Sequence, residues 1–301
     1  MKKKLLTPKD IEVLIFLGKY KLMRGADCKR IYKTKDYYRK RLKILEKEKY
    51  IRRINKLYIK LDSKGTKIVK GLGYDYNNMC RKKEYQERLK QMASVAALTI
   101  DSNIEFDASW DLKDNTIFTE TARKYLGKIM FQGQTFIVYY IEKGKQTIYI
   151  KQIINDIQKS INYRKVIIFI QDLNILKDKN FIFGRDNTII INPTIKNFDI
   201  IRLLNKIDFY EVIEKIYSQN EILLSNWKKA DYMTQDKRYI LVMPFLDTEK
   251  LHKLNTFYRN NQKTNRVIDI ITLKENKEKI NEILTNKANI VELDNYLGGN
   301  E

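Results

Sequence analysis

The chain of 301 residues is 43% hydrophobic with only three prolines and eleven glycines, which excludes low-complexity disorder and suits one large or two ordinary domains. Its longest apolar runs, at 136–141 and 166–170, are far too short to cross a bilayer, and no apolar segment follows the opening lysines, so neither a membrane partner nor a signal peptide is expected. The net charge of +22 is unevenly spread: residues 1–90 hold 29 Lys and Arg against 10 Asp and Glu, a net +19, which leaves +3 for the remainder.

That asymmetry fits a polyanion-binding module joined to an ordinary globular domain. Thr7-Pro8-Lys9-Asp10 opens the first helix, with Thr7 as cap, Pro8 at the first position and Asp10 in the positive first turn. Ile11, Leu14, Ile15 and Leu17 are expected on its buried face. A second short helix is predicted over 26–32 with Cys28 and Ile31 inward. A third, over 35–47, has Tyr38, Leu42 and Leu45 inward and Asp36, Arg39, Lys40 and Lys43 outward. Alternation then marks two strands, 50–54 and 57–61, joined by Asn55-Lys56.

A basic helix followed at once by a basic hairpin suits double-stranded DNA, because the helix fits the major groove while the hairpin lies along the backbone or minor groove. Lys33, Lys35, Arg52, Arg53 and Lys56 are read as phosphate contacts, which position without carrying sequence information. Tyr37, Arg39 and Lys40 are the candidates for base edges, and Thr34 and Lys43 complete the DNA-binding set. Arg41 is expected to snorkel beside the core.

The segment from Leu6-Thr7-Pro8-Lys9-Asp10, through Arg41-Leu42 with Leu45 and Tyr50-Ile51-Arg52-Arg53, to Leu61-Asp62 with Gly65, resembles the winged-helix segment of the replication-relaxation proteins of plasmids and other mobile elements. The likeness covers the first quarter of the chain and continues more weakly through "SWDLKDN". It implies a winged helix-turn-helix over 1–75 and DNA binding linked to replication or mobilisation.

A helix over 84–98, with Tyr85, Leu89, Met92, Val95 and Ala96 at helical spacing, is expected as a linker or dimerisation element within 76–100. Residues 101–301 read as an α/β domain with a mixed sheet, subdivided near 235, so the fold class expected is α+β. Its elements are a hairpin at 126–131 and 135–141 around Gly133, an amphipathic helix at 152–161, and buried strands at 166–171 and 188–192. Helices at 197–206 and 209–216 follow, then strands at 239–243 and 267–271 with helices at 249–258 and 275–284.

The family resemblance implies a nuclease-type fold after the winged helix, in which one strand carries an acidic residue and the next a Glu-x-Lys or Asp-x-Lys pair for magnesium. Here "FIVYYIEKGK" puts Tyr139 and Tyr140 where a carboxylate is wanted, and Glu142-Lys143 are adjacent rather than spaced. Asp111-Leu112-Lys113 has the spacing but lies in a polar stretch. With a single histidine, His252, two cysteines, Cys28 and Cys80, and no Gly-rich phosphate loop, neither a zinc site nor a relaxase histidine cluster can be assembled. Trp110 and Trp227 read as core anchors and the two cysteines as buried free thiols of a cytoplasmic protein.

The expectation is a non-enzymatic, cofactor-free and metal-free DNA-binding protein of a mobile element, acting in replication control or mobilisation. Its expected partners are duplex DNA, further copies of itself and a host replication or conjugation factor. The alternatives are a winged-helix transcriptional regulator with a C-terminal sensor or oligomerisation domain and, third, a metal-dependent nuclease or relaxase.

Overall fold

The computed structural model describes residues 6–34, 36–76, 83–112, 124–145, 147–159, 165–177, 188–218, 220–261, 265–285 and 287–297. The fold is α+β, with mixed sheets, and divides into two compact units, Met1–Asn115 with Leu126–Phe131, and Thr116–Tyr125 with Gln132–Glu301. No helix among the described residues is long and apolar enough to cross a membrane.

In the first unit, α1 (Pro8–Tyr20) starts at a full capping box: the Asp10 amide donates to Thr7 Oγ1 at 3.2 Å and the Thr7 amide to Asp10 Oδ2 at 2.7 Å. Its buried stripe is Val13, Leu14, Phe16, Leu17 and Tyr20. Ile11 and Ile15, expected inside, are half-buried. The face is rotated because the carboxylate of Asp10 is itself drawn into the interior. A short β1 (Met23–Arg24) precedes α2 (Cys28–Tyr32), where Cys28 and Ile31 are buried. Then comes α3 (Tyr37–Lys47), with Tyr38, Leu42 and Leu45 inside as their spacing requires.

Strands β2 (Ile51–Ile54) and β3 (Tyr58–Leu61) pair antiparallel, with β1 on the other side of β3, in the order β1-β3-β2. The connection is three residues rather than two: Ile54 faces Tyr58, and Leu57 joins the turn, 66% exposed. Asn55 supplies the left-handed residue, φ 55°, and its Oδ1 accepts from the amides of Leu57 and Tyr58 at 3.0 and 3.3 Å, an Asx-type closure.

A helix not expected from the sequence, α4 (Ser63–Gly71), follows and packs on α1 and the hairpin. Gly65 makes this possible: a Cβ there would stand 2.0 Å from the carbonyl oxygen of Tyr50. Since that oxygen accepts from the Asp62 amide at 3.0 Å, it cannot retreat. Gly65→Ala should cost about 2–4 kcal/mol, measured as a lower urea midpoint; an unchanged midpoint would mean α4 shifts freely.

The helix expected as a linker, α5 (Lys83–Ala96), belongs to this unit. Leu89 and Ala93 pack with Leu22, and Ile54, Tyr58, Tyr85 and Trp110 close around them. Met92, Val95 and Ala96 are fully buried, so the helix is core rather than connector. The first unit thus runs past the expected boundary at 75 and ends with the antiparallel pair β4 (Glu105–Ala108) and β5 (Gly127–Phe131).

In the second unit, β6 (Gln134–Ile141), β7 (Val166–Ile170) and β8 (Thr188–Ile191) run parallel, with α6 (Thr147–Lys159) between the first two. After α7 (Ile195–Leu204) and α8 (Phe209–Ile216) comes a five-stranded mixed sheet. It comprises β9 (Ile222–Leu224), β10 (Tyr232–Thr234), β11 (Tyr239–Val242), β13 (Ile268–Thr272) and β14 (Asn289–Glu292). The short β12 (Leu246–Asp247) pairs antiparallel with β8 just before α9 (Thr248–Asn260), and α10 (Lys277–Leu284) precedes β14. At the heart of this sheet Asp269, 2% exposed, takes both Arg238 contacts at 3.2 Å, the Tyr217 hydroxyl at 2.7 Å and the Asn289 amide at 3.0 Å.

Candidate nucleic-acid interface

The position of α3 is fixed from beneath. Arg41 points inward and pairs with the fully buried carboxylate of Asp10 through Nη2, while its Nε donates to Oδ1 at 3.2 Å. The Tyr32 hydroxyl donates to the same oxygen at 2.6 Å. One carboxylate therefore ties together the start of α1, the end of α2 and the middle of α3. Burial pushes the Asp10 carboxyl up, but Arg41, Tyr32 and the two Thr7 hydrogen bonds outweigh it and hold it below its ordinary 3.8. Arg41, expected to snorkel, is instead the cation of a buried, hydrogen-bonded pair.

With that face pinned, the opposite side of α3 presents its cations to solvent. Lys40 and Lys43 are exposed, and Lys47 extends the stripe at helical spacing. None of the three has an ion-pair partner among the described residues. Tyr37 opens the helix, 47% exposed, and meets Tyr32 edge-on at 6.1 Å. Arg39 is also outside, but it lies along the Tyr38 ring at 5.7 Å, with Nε 3.2 Å from the hydroxyl and Nη1 3.9 Å from Asp36. That contact preorganises Arg39 near the N-terminal end of the helix.

The flanking candidates diverge. Lys33 closes α2 in the left-handed region, φ 54°, and pairs with Asp101 at 2.9 Å; Thr34 is exposed beside it, and Lys35 lies outside the described residues. Lys56 is exposed in the hairpin turn. Arg52 and Arg53 were expected to act together, but strand alternation sends them to opposite faces. Arg53 shares its face with the buried Ile51, Ile59 and Leu61 and reaches α3, where Nε meets Glu46 at 3.1 Å. Arg52 shares the other face with Ile54 and Tyr58, directly opposite Lys60. Lys60 and Lys47 were missed by sequence reasoning, although the same periodicities pointed to both.

Among its described residues the second unit brings no comparable chemistry together. Phe136 to Ile141 are all buried in β6, with Tyr139 1% exposed at the position where a nuclease would want a carboxylate. Glu142 falls after the strand and pairs with Lys145 at 3.6 Å. In the first unit, Asp111 is exposed after β4, and its partner in the sequence pattern, Lys113, lies outside the described residues, as does Cys80. Among the described residues no three His, Cys, Asp or Glu side chains are grouped to hold a metal ion. His252 is exposed on α9. Trp227 is packed between Tyr239 and Phe257, at 5.1 and 4.8 Å, under the Arg266 guanidinium.

Comparison of the chain with protein-family models, with curated proteins and with solved structures found no match. The functional reading therefore rests on the residues themselves.

Proposed function

We propose that the first unit binds double-stranded DNA as a winged helix, with α3 in the major groove and the hairpin turn at Lys56 against the backbone. The observation that carries this reading is the stripe Lys40–Lys43–Lys47, without an ion-pair partner among the described residues and set on a helix whose other face is locked by the Asp10–Arg41 pair. Three such cations on one face of a helix repel each other and are best matched by a polyanion. Tyr37 and Arg39, at the N-terminal end, are the side chains suited to base edges, where a bidentate contact discriminates by about 1–3 kcal/mol.

Following the resemblance in the first quarter of the chain, the role proposed is replication control or mobilisation of a plasmid or other mobile element in the cytoplasm. The second unit would then support oligomerisation or recruit a host factor. Selection of duplexes from a random pool by the full chain tests the binding. A recovered motif whose affinity falls steeply with salt is expected; a pool that returns unenriched with salt-independent affinity overturns it. Footprints repeated at a replication origin support the role, whereas one site overlapping a promoter points to a transcriptional regulator.

The protein is proposed not to be a nuclease, because β6 offers apolar and aromatic side chains where anionic oxygens would have to sit about 2 Å from a divalent ion. Supercoiled DNA carrying the selected motif should stay intact with magnesium or manganese. Nicking that disappears in Asp111→Ala would overturn this.

A further inference from the structure

Trp227, expected as a core anchor, is only half-buried, and it stands in a basic stretch of the second unit. Residues 226–266 hold nine Lys and Arg against four Asp and Glu, a net +5, more than the +3 of the whole chain beyond residue 90. The turn that carries Trp227 is fixed by its own hydrogen bonds. Its amide donates to Ser225 Oγ and that hydroxyl donates to its carbonyl, both at 3.0 Å, while the Ala230 amide donates to the same carbonyl at 2.9 Å. The indole meets Tyr239 of β11 and Phe257 of α9 edge-on. Over these three rings lies the Arg266 guanidinium, centred 4.9 Å from Trp227, 5.5 Å from Tyr239 and 5.6 Å from Phe257. The next residue anchors it, because the Val267 carbonyl accepts from the Tyr239 amide at 2.9 Å. Arg266 is nonetheless exposed, so the side turned from the rings faces solvent. Lys228 and Lys229 follow Trp227 directly, and neither has an ion-pair partner among the described residues. Lys229 reaches α9, where Nζ donates to the Lys253 carbonyl at 3.5 Å.

One cation–ring contact at a surface fixes an arginine weakly; three rings together hold it in one place. The result is a planar, preorganised cation with two lysines beside it. Carboxylates and isolated phosphates are met by lysine as a point charge and need no braced plane. A flat guanidinium matches a flat π-face, and a nucleobase offers that face only when it is unpaired. We infer that the Arg266–Trp227 surface binds single-stranded nucleic acid, with a base stacked on the supported guanidinium and the flanking phosphates taken by Lys228 and Lys229. The site lies outside the winged helix and does not rest on the duplex-binding reading. Together with that reading, one unit holds duplex and the other an opened strand, which suits a step at which the two strands separate.

The test reads the site locally in the full chain. Trp110→Phe leaves Trp227 as the only tryptophan, and its fluorescence is followed against an oligothymidylate of about 12 nucleotides, within the length that single-strand sites span. Saturable quenching is expected. Arg266→Gln should weaken the binding read at Trp227 by roughly 5- to 100-fold, the range of one lost base stack. Arg266→Lys keeps the charge but not the plane, so it should fall nearer Arg266→Gln than the parent. Lys228→Gln/Lys229→Gln should make the log–log salt slope shallower by about 1.4, two single-strand phosphate contacts. A duplex of the same length and polyglutamate should each leave Trp227 unchanged. Equal quenching by the duplex or by polyglutamate overturns the inference, because the surface then takes any polyanion or an acidic protein. Absence of quenching, or an Arg266→Gln variant that binds like the parent, overturns it too. Should Trp110→Phe or Arg266→Gln melt early, photocrosslinking of the unaltered chain to a 5-bromouracil oligonucleotide decides. A crosslink in the peptide that contains Trp227 upholds the site, and crosslinks confined to the first unit overturn it. Quenching that persists in a chain that binds no selected duplex leaves this site standing and removes the duplex reading alone.

Discussion

Asp10→Ala should destabilise the first unit by about 3–5 kcal/mol, because it strands the buried guanidinium of Arg41 without its counter-ion. The Tyr32 hydroxyl and the Thr7 amide lose their acceptor at the same time. Urea unfolding in a Trp227→Phe background would measure this, since Trp110 is then the only tryptophan left and lies in the first unit. Arg41→Met should fall by a similar amount for the mirror-image reason. The pair Asp10→Leu/Arg41→Met should recover much of the loss, since no charge is then stranded. It should not recover all of it, because Tyr32 and Thr7 remain unsatisfied, at about 1–3 kcal/mol for a buried group. A double variant no better than either single would show that the carboxylate acts through something other than Arg41.

The same pair sets a pH dependence. Asp10 is held below its ordinary value in the folded unit, so its contribution is fully present above pH 4 or so and is lost as pH falls through the folded value. The parent should therefore lose stability below about pH 4 more steeply than the Asp10→Leu/Arg41→Met variant does.

Local features of the first unit were legible because their causes are local. Thr7, Pro8 and Asp10 mark a helix start through the chemistry of three neighbouring residues, and Tyr38, Leu42 and Leu45 mark a buried stripe through spacing alone. The partner of Arg41 was not legible: Asp10 is 31 residues away, and no period connects them. Helix α4 was hidden because Gly65 reads as a breaker, whereas its value lies in a close approach to Tyr50 that only the folded chain creates. The spacing in α5 was correctly read as an apolar face but assigned to the wrong partner, since a stripe does not say what covers it. In the second unit the long buried strands declared themselves, while β9, β10 and β12, of two or three residues each, are too short to carry a period. The separation of Arg52 from Arg53 was available in principle, as adjacent residues of a strand cannot share a face.

The largest functional effect should come from the outer face of α3. Replacing Lys40, Lys43 and Lys47 together by glutamine leaves Tyr38, Leu42, Leu45 and the Asp10–Arg41 pair untouched, so the helix should stay folded and in place. Near-UV and far-UV circular dichroism would check that. If the three lysines neutralise phosphates, the log–log salt dependence of duplex binding should become shallower by between about 2 and 3. Specific and random duplexes should weaken by similar factors, because phosphate contacts do not read sequence. Arg39→Ala should behave differently. Its guanidinium is already laid against Tyr38 near the helix N-terminus, so its removal should narrow the gap between the selected motif and random DNA by about 1–3 kcal/mol with little change in slope. Competition titrations with selected and scrambled duplexes separate the two outcomes. A triple lysine variant that binds both duplexes like the parent would mean that this face of α3 is turned to solvent rather than to DNA. An Arg39→Ala variant that weakens both duplexes equally would make Arg39 one more phosphate contact, and would leave Tyr37 as the residue to test for base recognition.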